Sequence, residues 1–292
     1  MPLPAATAAP TMPTIHPTAV VEPGATLAEG ARVGPFCWVG PKATVGAGTT
    51  LISHVTVTGR TTLGERNTVW PNAVLGGDPQ DLKFSGEDTE LVVGDDNEIR
   101  ECVTVHKGTA NDRGITRLGD QNLLMAYVHV AHDCVVGSHV VLANGVQMAG
   151  HVKVEDHVTV GGASAIHHFV TLGGHGFVGG MTRVTKDSPP FMTIEGNPAE
   201  VRRLNSVGLK RQGIGEESRQ NLRDAFRRLY SSRADSGGVG RTDAACDALE
   251  DAYPLDPHVQ RLVTSIRQAA SGQHGRYLET FRRDNVWTNP SK

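Results

Sequence analysis

From Ile15 to Val184 an aliphatic side chain returns at nearly every sixth position. One run goes from Ile15 through Val21, Leu27 and Val33 to Leu75. A short one is Val93, Ile99, Val105, and a third goes from Leu118 to Val184, making 26 positions in all. The residue four further on is usually small or thin, as at Ala19, Ala31, Cys37, Ala43, Thr49, Ala73, Cys134 and Ser164. Glycine often follows the aliphatic residue directly, as at Gly34, Gly46, Gly64 and Gly137. A period of six fits neither an α-helix nor a coiled-coil heptad. It fits a parallel β-helix, in which three six-residue units close one triangular coil of about 18 residues. The aliphatic side chain points into the prism, the small one fills the corner, and glycine is expected to permit the turn.

The repeat breaks twice. GGDPQDLKFSGEDTE follows Leu75, and HKGTANDRGITR follows Val105, after which the phase slips by one residue. Both segments are polar and glycine-rich, so loops are expected over 76–92 and 106–117. Long excursions from a regular scaffold often carry function. Asp187-Ser188-Pro189-Pro190 should end the ladder, because proline cannot continue it. Beyond it, Asn197-Pro198-Ala199-Glu200 reads as a helix start with an N-cap, a first-turn proline and a capping-box glutamate. Leu222, Ala225, Phe226 and Leu229 share one face of a helix, and residues 242–253 and 256–270 read as further amphipathic helices. Residues 236–240 read as a turn or linker. The expected architecture is a left-handed parallel β-helix over 15–190, a flexible tail over 1–14 and a C-terminal helical domain over 191–292. Flat-sided prisms of this kind assemble side by side, so a homotrimer with clefts between subunits is expected.

Composition agrees with a narrow interior: of 292 residues, 38% are hydrophobic but only 5% aromatic. Four scattered cysteines lack any CxxC spacing, so a reducing compartment is expected. The first 14 residues lack the charge and apolar core of a signal peptide. No apolar stretch reaches the roughly 18 residues that span a membrane, so the expected location is cytoplasmic, without membrane insertion. The net charge of −3 is uneven: residues 199–292 hold 16 basic against 12 acidic side chains, and residues 1–198 hold 12 against 19. A basic C-terminal part suits an acidic partner or phosphates, although solvated helix faces give the same balance. No nucleic-acid partner is expected.

Histidine concentrates, with eight of 13 between residues 129 and 175. Residues 18 apart stack in adjacent coils, which aligns His132, Gly150-His151 and His167-His168 in one column, with His129 starting on the preceding face. One surface histidine is ordinarily just solvated; several on one face point to a site. A neutral imidazole at His132 suits a general base for a hydroxyl. Gly150 could offer an unobstructed backbone N–H to an oxyanion. Together they suit acyl transfer from a thioester. A three-histidine zinc site, as in β-helical carbonic anhydrases, is the competing reading from a different class. Cys134 as nucleophile is a weaker one, because its repeat position points inward.

Separated motifs sharpen the choice: IHPTAVVEPGA at 15–25, GDPQDLKFSGE at 77–87, IRECVTVHKGT at 99–109, NLLMAYVHVAHDC at 122–134, MAGHV at 148–152, AIHHF at 165–169 and GLKRQG at 208–213. With these the chain resembles the UDP-N-acetylglucosamine O-acyltransferases that begin lipid A synthesis. The resemblance implies that an (R)-3-hydroxyacyl chain moves from acyl carrier protein to the sugar 3-hydroxyl. It implies His132 as base, Asp133 as its orienting partner and Gly150 as oxyanion donor. Asp81, Lys83, His106, His129, His151, His167 and His168 would line the substrate cleft. Asn205 and Arg211 would lie near the nucleotide, where a guanidinium suits phosphate. Gly180 matches the acyl-chain ruler, and glycine there leaves room for a chain nearer C14 than C10. No metal and no bound cofactor are implied, since phosphopantetheine arrives on the donor protein.

Three positions depart from the family pattern: His168 where glutamine is common, Val207 for an acidic residue, and Gln212 for a second arginine. They surround the sugar and nucleotide, so a 3-amino UDP-sugar, giving an amide, stays open. An N-acyltransferase acting on acylated UDP-glucosamine is disfavoured, because only a short tail precedes the repeat.

Overall fold

The computed structural model describes residues 12–230, 239–271, 275, 276 and 278. Its contacts group into two compact units that divide between Asp133 and Cys134. Both are wound as a left-handed parallel β-helix, and among the described residues the second also carries four helices. All 26 aliphatic repeat positions lie in strands, most only two residues long. From Val33 to Val184 each of them is at most 3% exposed. Ile15 remains 46% exposed, at the first strand of its sheet. Residues 1–11 of the expected tail lie outside the described residues, and Thr14 already begins a strand.

In the first unit, Thr14–Ile15 pairs in parallel with Arg32–Val33, an 18-residue coil. The two breaks lengthen individual coils. Asn97 lies 30 residues after its ladder partner Asn67, and Asn122 lies 25 after Asn97. An insertion of twelve preserves a period of six and one of seven does not, which explains the phase slip before Leu118. The strands run further into the breaks than expected, to Val74–Gly77, Glu90–Val93, Thr104–His106 and Ile115–Leu118. The loops themselves are 78–89 and 107–114.

The corner positions carry a buried polar ladder. Thr49 Oγ1 accepts from Asn67 N at 3.0 Å, Asn67 Oδ1 from Asn97 N at 2.8 Å, and Asn97 Oδ1 from Asn122 N at 2.9 Å. Each side chain satisfies a buried backbone donor of the next coil.

Glycine serves the turns only in part. The left-handed turn position, three residues after the aliphatic one, is held by Gly24, Gly30, Gly48 and Gly145 but also by Phe36, His54, Arg66, Asp133, His151 and other non-glycine residues. The glycine directly after the aliphatic residue is needed for close approach instead. A Cβ on Gly34 would stand 1.8 Å from Ile52 O, and one on Gly46 2.2 Å from Gly64 O.

In the second unit the ladder continues past the two prolines. Ser188 bridges Leu172, and Met192–Glu195 pairs in parallel with Phe177–Val178. The helix expected from Asn197 does not form. Gly196 (φ +112°) and the cis Asn197–Pro198 bond turn the chain back, and Glu200–Leu204 pairs antiparallel with Met192–Glu195. An open sheet edge offers a full row of backbone partners, and this outweighs the local capping signals.

Four helices follow: α1 (Ser206–Arg211), α2 (Glu216–Tyr230), α3 (Val239–Ala252) and α4 (Pro257–Ser271). Leu222, Ala225, Cys246, Leu249, Val259, Leu262 and Val263 form their core together with Phe191, Met192 and Leu204. Of the expected turn over 236–240, residues 236–238 lie outside the described residues, while Val239 and Gly240 open α3. First-turn amides need no helical acceptor, so Gly240 is tolerated there. Among the described residues no helix is long and apolar enough to cross a membrane.

Candidate active site

The strand-to-turn segment His129–Asp133 sets its functional side chains in different surroundings, His129 partly exposed and Asp133 buried. His129 sits on the short strand His129–Val130, and its Nδ1 lies 2.7 Å from Thr104 Oγ1. Asp133 takes the left-handed turn position (φ +59°) and is fully buried. Its Oδ2 lies 2.9 Å from His132 Nδ1. Thr109 donates its backbone N–H to both carboxylate oxygens at 3.0 and 3.1 Å, and its hydroxyl to Oδ2 at 2.6 Å. The Asp133 N–H in turn donates to Thr116 Oγ1 at 2.8 Å. A buried carboxylate needs this density of donors. With a hydrogen on Nδ1, a neutral His132 carries its basic lone pair on Nε2, the arrangement a general base requires.

His106 packs edge-on against His129 with ring centroids 4.8 Å apart, and is only 6% exposed. Burial above all, then the neighbouring His129 and His132, pushes its pKa from 6.5 down to about 4. Its Nδ1 has no hydrogen-bond partner among the described residues. Burial, followed by His132, also lowers His129. Both rings are therefore neutral at pH 7, able to accept or donate hydrogen bonds without adding positive charge.

The strand before loop 78–89 runs beside His106: Gly77 pairs with it. Lys107 holds the loop through Asp78 Oδ1 at 2.9 Å and lies 5.1 Å from the Phe84 ring centre. Within the loop, Asp81 accepts from Lys83 N at 3.0 Å and through its carbonyl from Phe84 N. Asp81 and Lys83 are thus presented on a compact turn, with their charged groups 4.0 Å apart.

In the second unit, Gly150 is buried and its carbonyl accepts from Phe169 N at 3.3 Å. The His151 ring stacks flat on Phe169 at 4.4 Å. His167 and His168 lie 4.0 Å apart, and His168 meets Phe169 edge-on at 5.7 Å. Burial, then His168 and Arg276, lowers the pKa of His167, whose Nδ1 has no hydrogen-bond partner among the described residues. Within this unit the structure therefore brings His151, His167 and His168 around Phe169. Cys134 points inward, its thiol 3.2 Å from Ala149 O, as its repeat position implied.

Asn205 and Arg211 line a cavity of about 420 Å³ with Thr159, Phe177, Val207 and Gln212. Asn205 also builds α1: its Oδ1 accepts from Gly208 N at 3.2 Å and its Nδ2 donates to His175 O at 2.9 Å. Gln212 bonds His175 Nδ1 at 2.5 Å and His157 O at 3.2 Å, so it holds the helix in place where an arginine would reach for phosphate. Val207 is 63% exposed at the rim. A second histidine stack underlies this contact: His139, His157 and His175 lie ring on ring at 4.7 and 4.8 Å, all at left-handed turn positions. These three residues are spaced 18 apart, one per coil.

Thr109 is the contributor that sequence reasoning missed, and Gln212, noted there as a departure near the nucleotide, acts instead through His175 and His157. No repeat position marks either, because each acts across a loop or helix whose path the period does not set.

Comparisons with known proteins point to one family. The family model described as "Udp N-acetylglucosamine O-acyltransferase; Domain 2" matches residues 187–275, and that of the bacterial transferase hexapeptide matches residues 115–150. An acyl-[acyl-carrier-protein]–UDP-N-acetylglucosamine O-acyltransferase of Pseudomonas savastanoi is 41% identical over 208 residues, 71% of this chain and 78% of that one. The crystal structure of the UDP-N-acetylglucosamine O-acyltransferase of Moraxella catarrhalis is 42% identical with a TM-score of 0.82, covering 87% of this chain and 97% of that chain. That of Bacteroides fragilis, at 33% identity, reaches 0.83 over 90% and 99%. With this similarity along most of its sequence and backbone, the chain belongs to the family of UDP-N-acetylglucosamine O-acyltransferases.

Proposed function

We propose that this chain transfers an (R)-3-hydroxyacyl group from acyl carrier protein to the 3-hydroxyl of UDP-N-acetylglucosamine, the first step of lipid A synthesis. The observation that carries the mechanism is the His132–Asp133 pair, with its carboxylate buried and fully engaged. His132 Nε2 takes the proton of the sugar hydroxyl as its oxygen attacks the thioester carbonyl. The Gly150 N–H receives the developing oxyanion. The tetrahedral intermediate collapses, the C–S bond breaks, and the phosphopantetheine thiolate takes the proton back from the imidazolium. Asp133 keeps the hydrogen on Nδ1 and stabilises the transient cation.

Asp81, Lys83, His106, His129, His151, His167 and His168 contact the sugar nucleotide or the acyl donor, the neutral rings through hydrogen bonds. Asn205 and Arg211 face the nucleotide across their cavity. Gly180 sets chain length: a Cβ there would meet Gly162 O at 3.5 Å, an ordinary contact, so the position is open and a chain near C14 is favoured over C10. The protein works in the cytoplasm as a homotrimer, its basic C-terminal part receiving acyl carrier protein. No metal and no bound cofactor take part. The family membership removes the support for a zinc carbonic anhydrase.

The test is a mass-spectrometric turnover assay with (R)-3-hydroxymyristoyl-acyl carrier protein and UDP-N-acetylglucosamine or its 3-amino analogue. Product is expected from the wild type and not from His132→Ala. The His168 and Gln212 departures make the amine a live acceptor, and the preferred product settles ester against amide. No product with either acceptor, or equal turnover of a C10 donor, would overturn the corresponding part of the reading.

A further inference from the structure

We propose that Thr109 is a positioning residue for the His132–Asp133 pair, and that the break at 107–114 is retained to deliver it. The inference rests on the reading of His132 as the base, and deepens it. Asp133 is fully buried, and Thr109, 24 residues earlier, supplies both its backbone N–H and its hydroxyl. The hydroxyl bond, at 2.6 Å, has the length of a charge-assisted contact. It ends on Oδ2, the same oxygen that faces His132 Nδ1 at 2.9 Å. The N–H reaches both oxygens, so together the two Thr109 donors fix the plane of the carboxylate. A carboxylate free to rotate would not hold the imidazole in one tautomer and orientation.

The surroundings leave Thr109 little freedom. Thr89 Oγ1 donates to Gly108 O at 2.6 Å, and Gly108 N donates to Glu90 O at 3.0 Å. The carbonyl of Thr109 accepts from Gly114 N at 3.1 Å and Asp112 N at 3.3 Å, closing the loop on itself. Only glycine passes at 108, since a Cβ there would stand 2.1 Å from Ile115 N. The side chain of the residue before it, Lys107, clamps loop 78–89 through Asp78. One short segment therefore sets the catalytic carboxylate and anchors the loop that carries Asp81 and Lys83.

The test compares Thr109→Val, which keeps shape and N–H but removes the hydroxyl, with Thr109→Ser, which restores it. The valine variant is expected to lose on the order of 10–100-fold in kcat, a fraction of the cost of losing a whole orienting carboxylate. KM for both substrates should stay within about twofold, and serine should recover most of kcat. Selective 15N labelling of histidine gives a readout independent of turnover: the His132 Nδ1–H signal should weaken in the valine variant and return with serine. Should the valine variant not fold, Thr109→Ala is measured the same way.

Wild-type kcat and an unchanged His132 signal in the valine variant would overturn the inference. An active His132→Ala enzyme would instead sink the assignment of the base, whatever Thr109 does.

Discussion

Replacing Gly46 by alanine isolates what the repeat glycines are for. The new Cβ would stand 2.2 Å from Gly64 O, 0.8 Å inside the 3.0 Å that real contacts respect. The obstacle is backbone, so the coils must part. Opening the gap by about that amount stretches the Gly46 N–Leu63 O bond from 2.8 Å to roughly 3.6 Å, beyond a useful hydrogen bond. The same shift disturbs Gly64 O, which accepts from Thr49 Oγ1 at 2.7 Å. Two buried bonds lost at about 1–3 kcal/mol each give roughly 2–6 kcal/mol. Alanine returns about 0.4–1 kcal/mol by restricting the unfolded chain. Gly145→Ala is the control. It has φ +70° and nothing within 4 Å of its Cβ, so only the left-handed cost of roughly 1–2 kcal/mol applies, with the same offset. At the mid-range costs, about 4 against about 1.5 kcal/mol, and roughly 2–4 °C per kcal/mol for a chain of this size, Gly46→Ala should lower Tm by about 5–10 °C more than Gly145→Ala in matched thermal melts. Equal shifts, or a larger one for Gly145→Ala, would refute the close-approach argument and restore glycine's role to the turn.

Lowering pH should destabilise the fold through His106. Its folded value of about 4 lies below the unfolded 6.5, so the unfolded chain binds the extra proton in between. The contribution is fully present above pH 6.5 and is lost as pH falls towards 4, at most about 3 kcal/mol. His106→Gln should flatten the Tm–pH slope in that window, and an unchanged slope would contradict it. Asn97→Ala should cost about 1–3 kcal/mol in denaturant unfolding, because Asn122 N loses its acceptor inside the prism. A neutral outcome there would mean that the polar ladder is dispensable.

The histidine-rich face was legible because 18-residue arithmetic needs only the period. His151 does stand over Phe169, its neighbour 18 residues on, whereas the His132–Asp133 contact joins adjacent residues and owes nothing to the period. The arithmetic failed where the chain leaves the period. It could not place Thr109, because loop 107–114 closes through its own backbone bonds. It misread 197–200, because the capping signals there are local while the edge strand they meet is far away in sequence. It treated Gln212 as a lost nucleotide contact. Only the folded chain shows it holding α1 to His175 and His157.

What the amino-acid order determined by itself was the winding: a strict aliphatic period commits each buried position to one interior line, whatever the outer residues do. It also determined the lengths of the coils, since an insertion of twelve keeps the phase and one of seven shifts it. What only the tertiary structure decided was the use of the outside. Which backbone donor reaches a buried carboxylate, which edge captures a strand and how closely coils approach at glycine all depend on contacts between distant segments. Those contacts have no period to announce them, because each is set by the shape of its partner.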